Sequence, residues 1–175
     1  MAIVPDTKDW TWVLKRRCPE CGFDASAVAF SDVPDLIRAN VAAWPAVLRR
    51  DDVRERPDDS TWSPLEYAAH VRDVFERFSA RLAQLLHEDD PEFENWDQDA
   101  AAVAGRYAEL DPAEVAAQLE RNGLALADAF EAVPPDSTGR TGRRSDGAVF
   151  TVESLSRYLI HDPVHHLWDV GARRP

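Results

Sequence analysis

The feature that most constrains the fold of this chain is a helix-start signature that occurs twice. Ser63-Pro64-Leu65-Glu66 has serine as the N-cap, proline at the first helical position and glutamate three residues after the cap. Asp111-Pro112-Ala113-Glu114 repeats this order. Apolar residues at spacings of three and four follow each signature, as is typical of amphipathic helices. The sequence therefore predicts two long helices, one reaching about residue 87 and one ending before residue 134.

Two further long helices follow from the same reasoning. The first begins after Ser31 or Asp32, and the last begins after Thr151 and reaches about Val170. A shorter helix is expected near residues 99–107, and a loop rich in Pro, Gly, Ser and Arg near 134–149. With no convincing alternating strand, the pattern predicts an all-α, antiparallel four-helix bundle over residues 31–175. Residues 1–30 lack a helical period and form an irregular N-terminal extension with a CPECG turn.

Charge and hydropathy exclude several classes of partner. The net charge of -12 opposes binding to phosphate backbones, so we expect no nucleic-acid partner. No apolar run is long enough for a membrane span, and no secretory signal is evident. A cytoplasmic protein without a membrane partner is expected.

Three of the five histidines lie in the short segment HDPVHH, residues 161–166. His161 and His165 are four residues apart and share a helix face with Tyr158 and Trp168. His166 lies about 100° further round the helix and is expected at the edge of this stripe.

His70 lies on the inward, apolar stripe of the second predicted helix. Helix bundles build metal sites from side chains on facing helices, so His70, His161 and His165 are candidate ligands of one divalent metal, zinc or nickel. Three imidazoles would leave a fourth position open for chemistry. The alternative is that these histidines are buried by packing and bind no metal.

The motifs W62-SPLEYAA-H70 and H161-DPV-H165 resemble the DinB/YfiT-like superfamily of metalloenzymes over residues 31–170. This resemblance implies a helical bundle with a metal site at His70, His161 and His165. It also implies a low-molecular-weight thiol of the mycothiol or bacillithiol type as cosubstrate, and a small-molecule electrophile as substrate. The protein would then be a thiol S-transferase or a thiol-dependent isomerase, with Tyr158 and Trp168 shaping the pocket.

Two other segments have alternative interpretations. The CPECG turn places Cys18 and Cys21 as half of a zinc-ribbon signature, and the pair is a structural turn, a metal ligand pair or a redox pair. The basic loop 139–144 is solvated, or it brings Arg143 to an anionic substrate.

A second function class is a non-catalytic bundle that binds metal or a protein partner. The sequence leaves open whether the protein is a homodimer.

Overall fold

Four long helices form the body of the protein. The computed structural model describes residues 9–172. In chain order, the helices are α1 (Val33–Leu48), α2 (Pro64–His87), the short α3 (Gln98–Ala104), α4 (Pro112–Glu131) and α5 (Val152–Asp169). Both α4 and α5 pack against α1 and α2, and the apolar faces of these four helices enclose one core. The predicted all-α bundle is confirmed.

The predicted caps fix where α2, α4 and α5 begin. At α2, the backbone N–H of Glu66 donates to Ser63 Oγ (3.3 Å), and the Ser63 N–H donates to Glu66 Oε2 (2.9 Å). These reciprocal bonds satisfy two amides that a helix N-terminus leaves unpaired. Asp111 accepts two backbone hydrogen bonds at the start of α4, and Thr151 caps α5 with the help of Ser154. Local sequence thus sets the N-termini of three bundle helices.

The structure corrects the expectation of no strands and a plain loop over 134–149. A small sheet joins β1 (Glu92–Phe93), β2 (Thr141–Arg144) and β3 (Val149–Thr151), with β1 parallel and β3 antiparallel to β2. Gly142 permits this close packing, because a Cβ there would lie 2.5 Å from Leu85 Cδ2. The Arg144 guanidinium covers the ring of Phe150 at 5.7 Å. Tertiary contacts stabilise strands that have no apolar alternation.

The described part of the N-terminal segment, residues 9–30, is irregular, as expected, and lies against α5. It contains three 3₁₀ turns, Trp10–Leu14, Ala25–Ala27 and Phe30–Asp32. Arg157 of α5 contacts the end of this segment, where its Nε donates a hydrogen bond to the Val28 carbonyl at 2.8 Å. The division of the chain into 1–30 and 31–175 stays a prediction, and residues 1–8 and 173–175 lie outside the described part. None of the described helices has the length and apolar character needed to cross a membrane.

Candidate metal centres

Helix α5 presents two pairs of metal-ligating side chains, each with a spacing of four residues. His161 and His165 form one pair, and Asp162 and His166 form the other. Adjacent residues on a helix point about 100° apart, so the two pairs face different neighbours. The first pair faces the N-terminal segment, and the second faces α2. Two separate clusters result.

The first cluster contains Cys18, Cys21, His161 and His165. All four residues are buried, and one ligand atom of each lies within 4.8 Å of the others. Cys18 Sγ is 3.7 Å from His165 Nδ1, and Cys21 Sγ is 3.8 Å from His161 Nε2. Gly22 closes the cysteine turn with a φ of 74°, and its N–H donates to the Cys18 carbonyl at 2.9 Å. The turn thereby directs both thiols at α5.

The environment keeps the imidazoles of the first cluster neutral. Burial lowers the pKa of His161 to about 4, with a further contribution from nearby His165. Burial also lowers the pKa of His165. The two thiols form no disulfide. Neutral imidazoles and reduced cysteines are the forms from which a metal site assembles.

The second cluster contains His70, Asp162 and His166, and their ligand atoms also lie within 4.8 Å of one another. His70 Nε2 is 3.5 Å from Asp162 Oδ2, and His166 Nε2 is 3.6 Å from Asp162 Oδ1. The opposite nitrogen of His166, Nδ1, is 2.7 Å from Asp169 Oδ2. Trp96 stacks parallel to the His70 ring with 5.1 Å between centroids. This aromatic cover encloses the cluster on one side.

In the second cluster, Asp162 and His166 stabilise each other's charged forms. Burial works to raise the pKa of Asp162, but His166 and His70 outweigh it and hold this pKa well below its usual value. Burial works to lower the pKa of His166, but Asp162 and Asp169 outweigh it and raise the pKa to about 10. Among the described residues, neither His70 Nδ1 nor Asp162 Oδ1 has a hydrogen-bond partner. The cluster is thus an anionic Asp162 carboxylate between the protonated ring of His166 and the ring of His70, whose buried Nδ1 has no hydrogen-bond partner among the described residues.

A cavity of about 110 Å³ lies beside both clusters. Asp162 and three histidines of α5 contribute to its lining; the other polar and aromatic groups include Trp10, Arg81, Trp96, Arg144 and Tyr158. Arg81 Nη2 donates to the Glu94 carbonyl at 2.9 Å, and Arg144 Nη1 donates to the Tyr158 hydroxyl at 3.1 Å. Two buried guanidinium groups therefore face a space that adjoins candidate metal ligands.

The structure divides the three predicted metal ligands between the two clusters. His161 and His165 lie together, as their spacing predicts, but their ligand atoms group with the two cysteines. His70 groups instead with Asp162 and with His166, which the helical spacing placed at the edge of the histidine stripe. The same i, i+4 spacing that singled out His161 and His165 also holds for this second pair.

The other predicted site residues are placed as follows. Tyr158 lines the cavity. Trp168 lies 5.4 Å from the His165 ring but is 42% exposed and does not line the cavity. Arg143 pairs with Asp90 at the surface. Its neighbour Arg144 lines the cavity instead, because side chains alternate between the two faces of a strand. Sequence reasoning missed Arg81, a buried cation within an apolar helix face.

The fold and the clusters define a four-helix-bundle protein with candidate metal-binding sites on facing elements. Residues 35–170 match the family model of the DinB superfamily, and the chain belongs to that superfamily. The predicted family is thus confirmed. A similar solved structure is described as "YfiT from Bacillus subtilis is a probable metal-dependent hydrolase with an unusual four-helix bundle topology". The two share 17% identity over 85% of this chain and 84% of that chain, with a TM-score of 0.69, a likeness of fold. No curated protein sequence matches this chain.

Proposed function

We propose that the protein is a metal-dependent enzyme whose divalent ion is held by His70, Asp162 and His166. One observation carries this assignment. The ligand atoms of the three residues lie within 4.8 Å of one another, and Asp162 and His166 also line the cavity. Three protein ligands leave a coordination position open, which is the arrangement of catalytic zinc sites. The description of YfiT as metal-dependent agrees with such a function.

The donor set fits a divalent ion of the zinc or nickel type, which accepts imidazole and carboxylate ligands and would displace the Nε2 proton of His166 on binding. Asp162 Oδ1 is buried and lies 3.4 Å from His70 Nε2 and 3.6 Å from His166 Nε2, so a cation placed between these three atoms would contact all of them. Asp169 holds Nδ1 of His166, so that Nε2 points towards Asp162. Contacts of this carboxylate–histidine kind orient metal-ligating imidazoles. The proposed set keeps His70 from the sequence-based triad and gives the other two positions to Asp162 and His166.

A divalent ion in this position would lower the pKa of a thiol or water molecule that it binds. We propose that a low-molecular-weight thiol of the mycothiol or bacillithiol type is the cosubstrate. The second substrate is then a small electrophile, which receives the thiol sulfur or is isomerised with its help. A cytoplasmic location suits this chemistry, because thiols are kept reduced there. Hydrolysis, the activity in the description of YfiT, would place water in the same position.

Cavity residues favour an anionic substrate or thiol. Burial, followed by repulsion from Arg77, lowers the pKa of Arg81 to about 10, which still leaves this guanidinium charged at neutral pH. Arg144 adds a second guanidinium, fixed by Asp146 and Tyr158. Guanidinium groups bind carboxylates through paired hydrogen bonds. We therefore expect these two arginines to bind a carboxylate of the substrate or of the thiol.

The test compares the wild-type protein with Asp162→Asn, which preserves side-chain shape but removes the charge. Thiol consumption is followed with a panel of electrophiles, and ester and amide hydrolysis is followed without thiol. Asp162→Asn should lower metal content by about one ion per chain and abolish turnover, because the carboxylate is a ligand. The control His87→Ala, at the exposed end of α2, should leave both unchanged.

Each outcome selects one function. Turnover with thiol only supports the thiol-using enzyme, and turnover with water only supports a hydrolase. Full metal content without turnover in either panel would favour the non-catalytic metal-binding bundle. Unchanged metal content in Asp162→Asn would contradict the proposed ligand set.

A further inference from the structure

The N-terminal CPECG turn reaches α5 at the pair of histidines that the proposed catalytic set does not use. We infer that Cys18, Cys21, His161 and His165 form a second, structural zinc site that fixes the N-terminal segment to the bundle. This site is separate from the proposed catalytic ion and does not depend on it.

The donor set and its spacing match a closed zinc site. Two thiols from C-x₂-C and two imidazoles from H-x₃-H supply four ligands, the number that fills tetrahedral zinc and leaves no open position. Two sulfur and two nitrogen donors in tetrahedral geometry are typical of zinc. The spacing within each pair is that of Cys₂His₂ zinc fingers, although Cys21 and His161 lie 140 positions apart in the sequence.

The distances fit zinc as well. Zinc bonds of about 2.3 Å to sulfur and about 2.0–2.1 Å to nitrogen, at the tetrahedral angle, separate the two ligand atoms by about 3.6 Å. The corresponding distances are 3.7 Å for Cys18 Sγ to His165 Nδ1 and 3.8 Å for Cys21 Sγ to His161 Nε2. All four side chains are buried, as a closed site requires. Glu20, from the same turn, lies 3.4 Å from the other nitrogen of His165, where an orienting carboxylate is expected.

The position of this site links it to the cavity. Trp10 contacts the rings of His161 and His165, with centroid distances of 5.6 and 5.5 Å, and also lines the cavity. Between residues 9 and 27 the buried side chains are the two cysteines and, apart from them, only Val13 and Ala25. A hydrophobic core this small contributes little to the stability of the segment. The zinc site therefore holds one wall of the cavity in place.

The decisive probe is cobalt, which replaces zinc and reports thiolate ligands through a charge-transfer absorption band. Wild-type protein loaded with cobalt should show this band and bind about two ions per chain. Cys18→Ser/Cys21→Ser should lose the band and about one ion, while Asp162→Asn/His166→Gln should keep the band and lose the other. Hydrogen exchange should quicken over residues 10–27 in the cysteine variant, with far-ultraviolet circular dichroism confirming that the helices are intact.

The outcomes separate this inference from the proposed function. If the cysteine variant loses all metal and Asp162→Asn/His166→Gln loses none, the structural site stands and the proposed catalytic site fails. If the cobalt-loaded wild-type protein shows no thiolate band, the structural site is refuted, whatever the variants do. A Cys18–Cys21 disulfide in freshly prepared protein, seen as a mass loss of two hydrogens, would also refute it and identify a redox pair.

Discussion

Replacing Gly123 with alanine should destabilise the bundle, because this glycine lies where α4 meets both α1 and α2. A Cβ at this position would lie 2.3 Å from Val41 Cγ2 and 2.9 Å from Phe75 Cε2. Both neighbours are buried in the core. Overpacking of a core lowers the free energy of unfolding by about 1–3 kcal/mol. The higher helix propensity of alanine than of glycine raises it by up to about 1 kcal/mol. The contact at 2.3 Å favours the upper part of the packing cost, so we expect a net loss of about 1–2 kcal/mol.

Urea unfolding followed by circular dichroism measures this change directly. For a chain of this size, 1–2 kcal/mol corresponds to a fall in Tm of about 2–8 °C. The matched control is Gly139→Ala, since Gly139 is exposed and a Cβ there would have no atom within 4 Å. It should change the free energy of unfolding by no more than about 0.5 kcal/mol. A Gly123→Ala protein as stable as the wild type would refute the close three-helix packing.

Two further predictions concern buried polar groups. Asn40→Ala should cost about 1–3 kcal/mol, because Asn40 donates to the Pro163 carbonyl (2.7 Å) and accepts from the Trp44 indole (3.0 Å); an unchanged urea midpoint would contradict this. Burial acts to raise the pKa of Glu66, but the hydrogen bonds from Arg56 and from Ser63 at the α2 cap outweigh burial, and the pKa of Glu66 is lowered. The contribution of ionised Glu66 to the free energy of unfolding is therefore full above the pKa of this group in the unfolded chain. It is lost as the pH falls through the pKa of Glu66 in the folded protein. Glu66→Gln should be less stable than the wild type at neutral pH, and urea titrations should show that this difference in stability shrinks below about pH 4. An equal difference at neutral and at acidic pH would refute the stabilising role of ionised Glu66.

The helices could be predicted because their signals are local. The cap at Ser63 and the apolar spacing behind it define α2 without reference to the rest of the chain. The small sheet has no such signal, because Thr141–Arg144 contains no apolar residue. It exists because Gly142 fits against Leu85 and because Arg144 covers Phe150. The contact of Gly142 with Leu85 and the pairing of β1 with β2 join residues far apart in sequence, and a local pattern cannot reveal them.

The candidate site was predictable only in part, for the same physical reason. Helical spacing places His161 with His165, and it places Asp162 with His166 equally well. Which pair faces His70 depends on how α5 is rotated against α2, and this is set by packing of the whole bundle. The partners of the CPECG turn lie more than a hundred residues away and were likewise hidden.

The most direct test of two distinct metal centres is an anomalous difference map at the zinc edge from a crystal of the wild-type protein. Two peaks are predicted. One should be ligated by His70, Asp162 and His166, and the other should be enclosed by the pair Cys18 and Cys21 together with H161-DPV-H165. A single peak ligated by His70 and both histidines of that motif, with the cysteines unligated, would contradict the two-centre account and restore the triad inferred from the sequence.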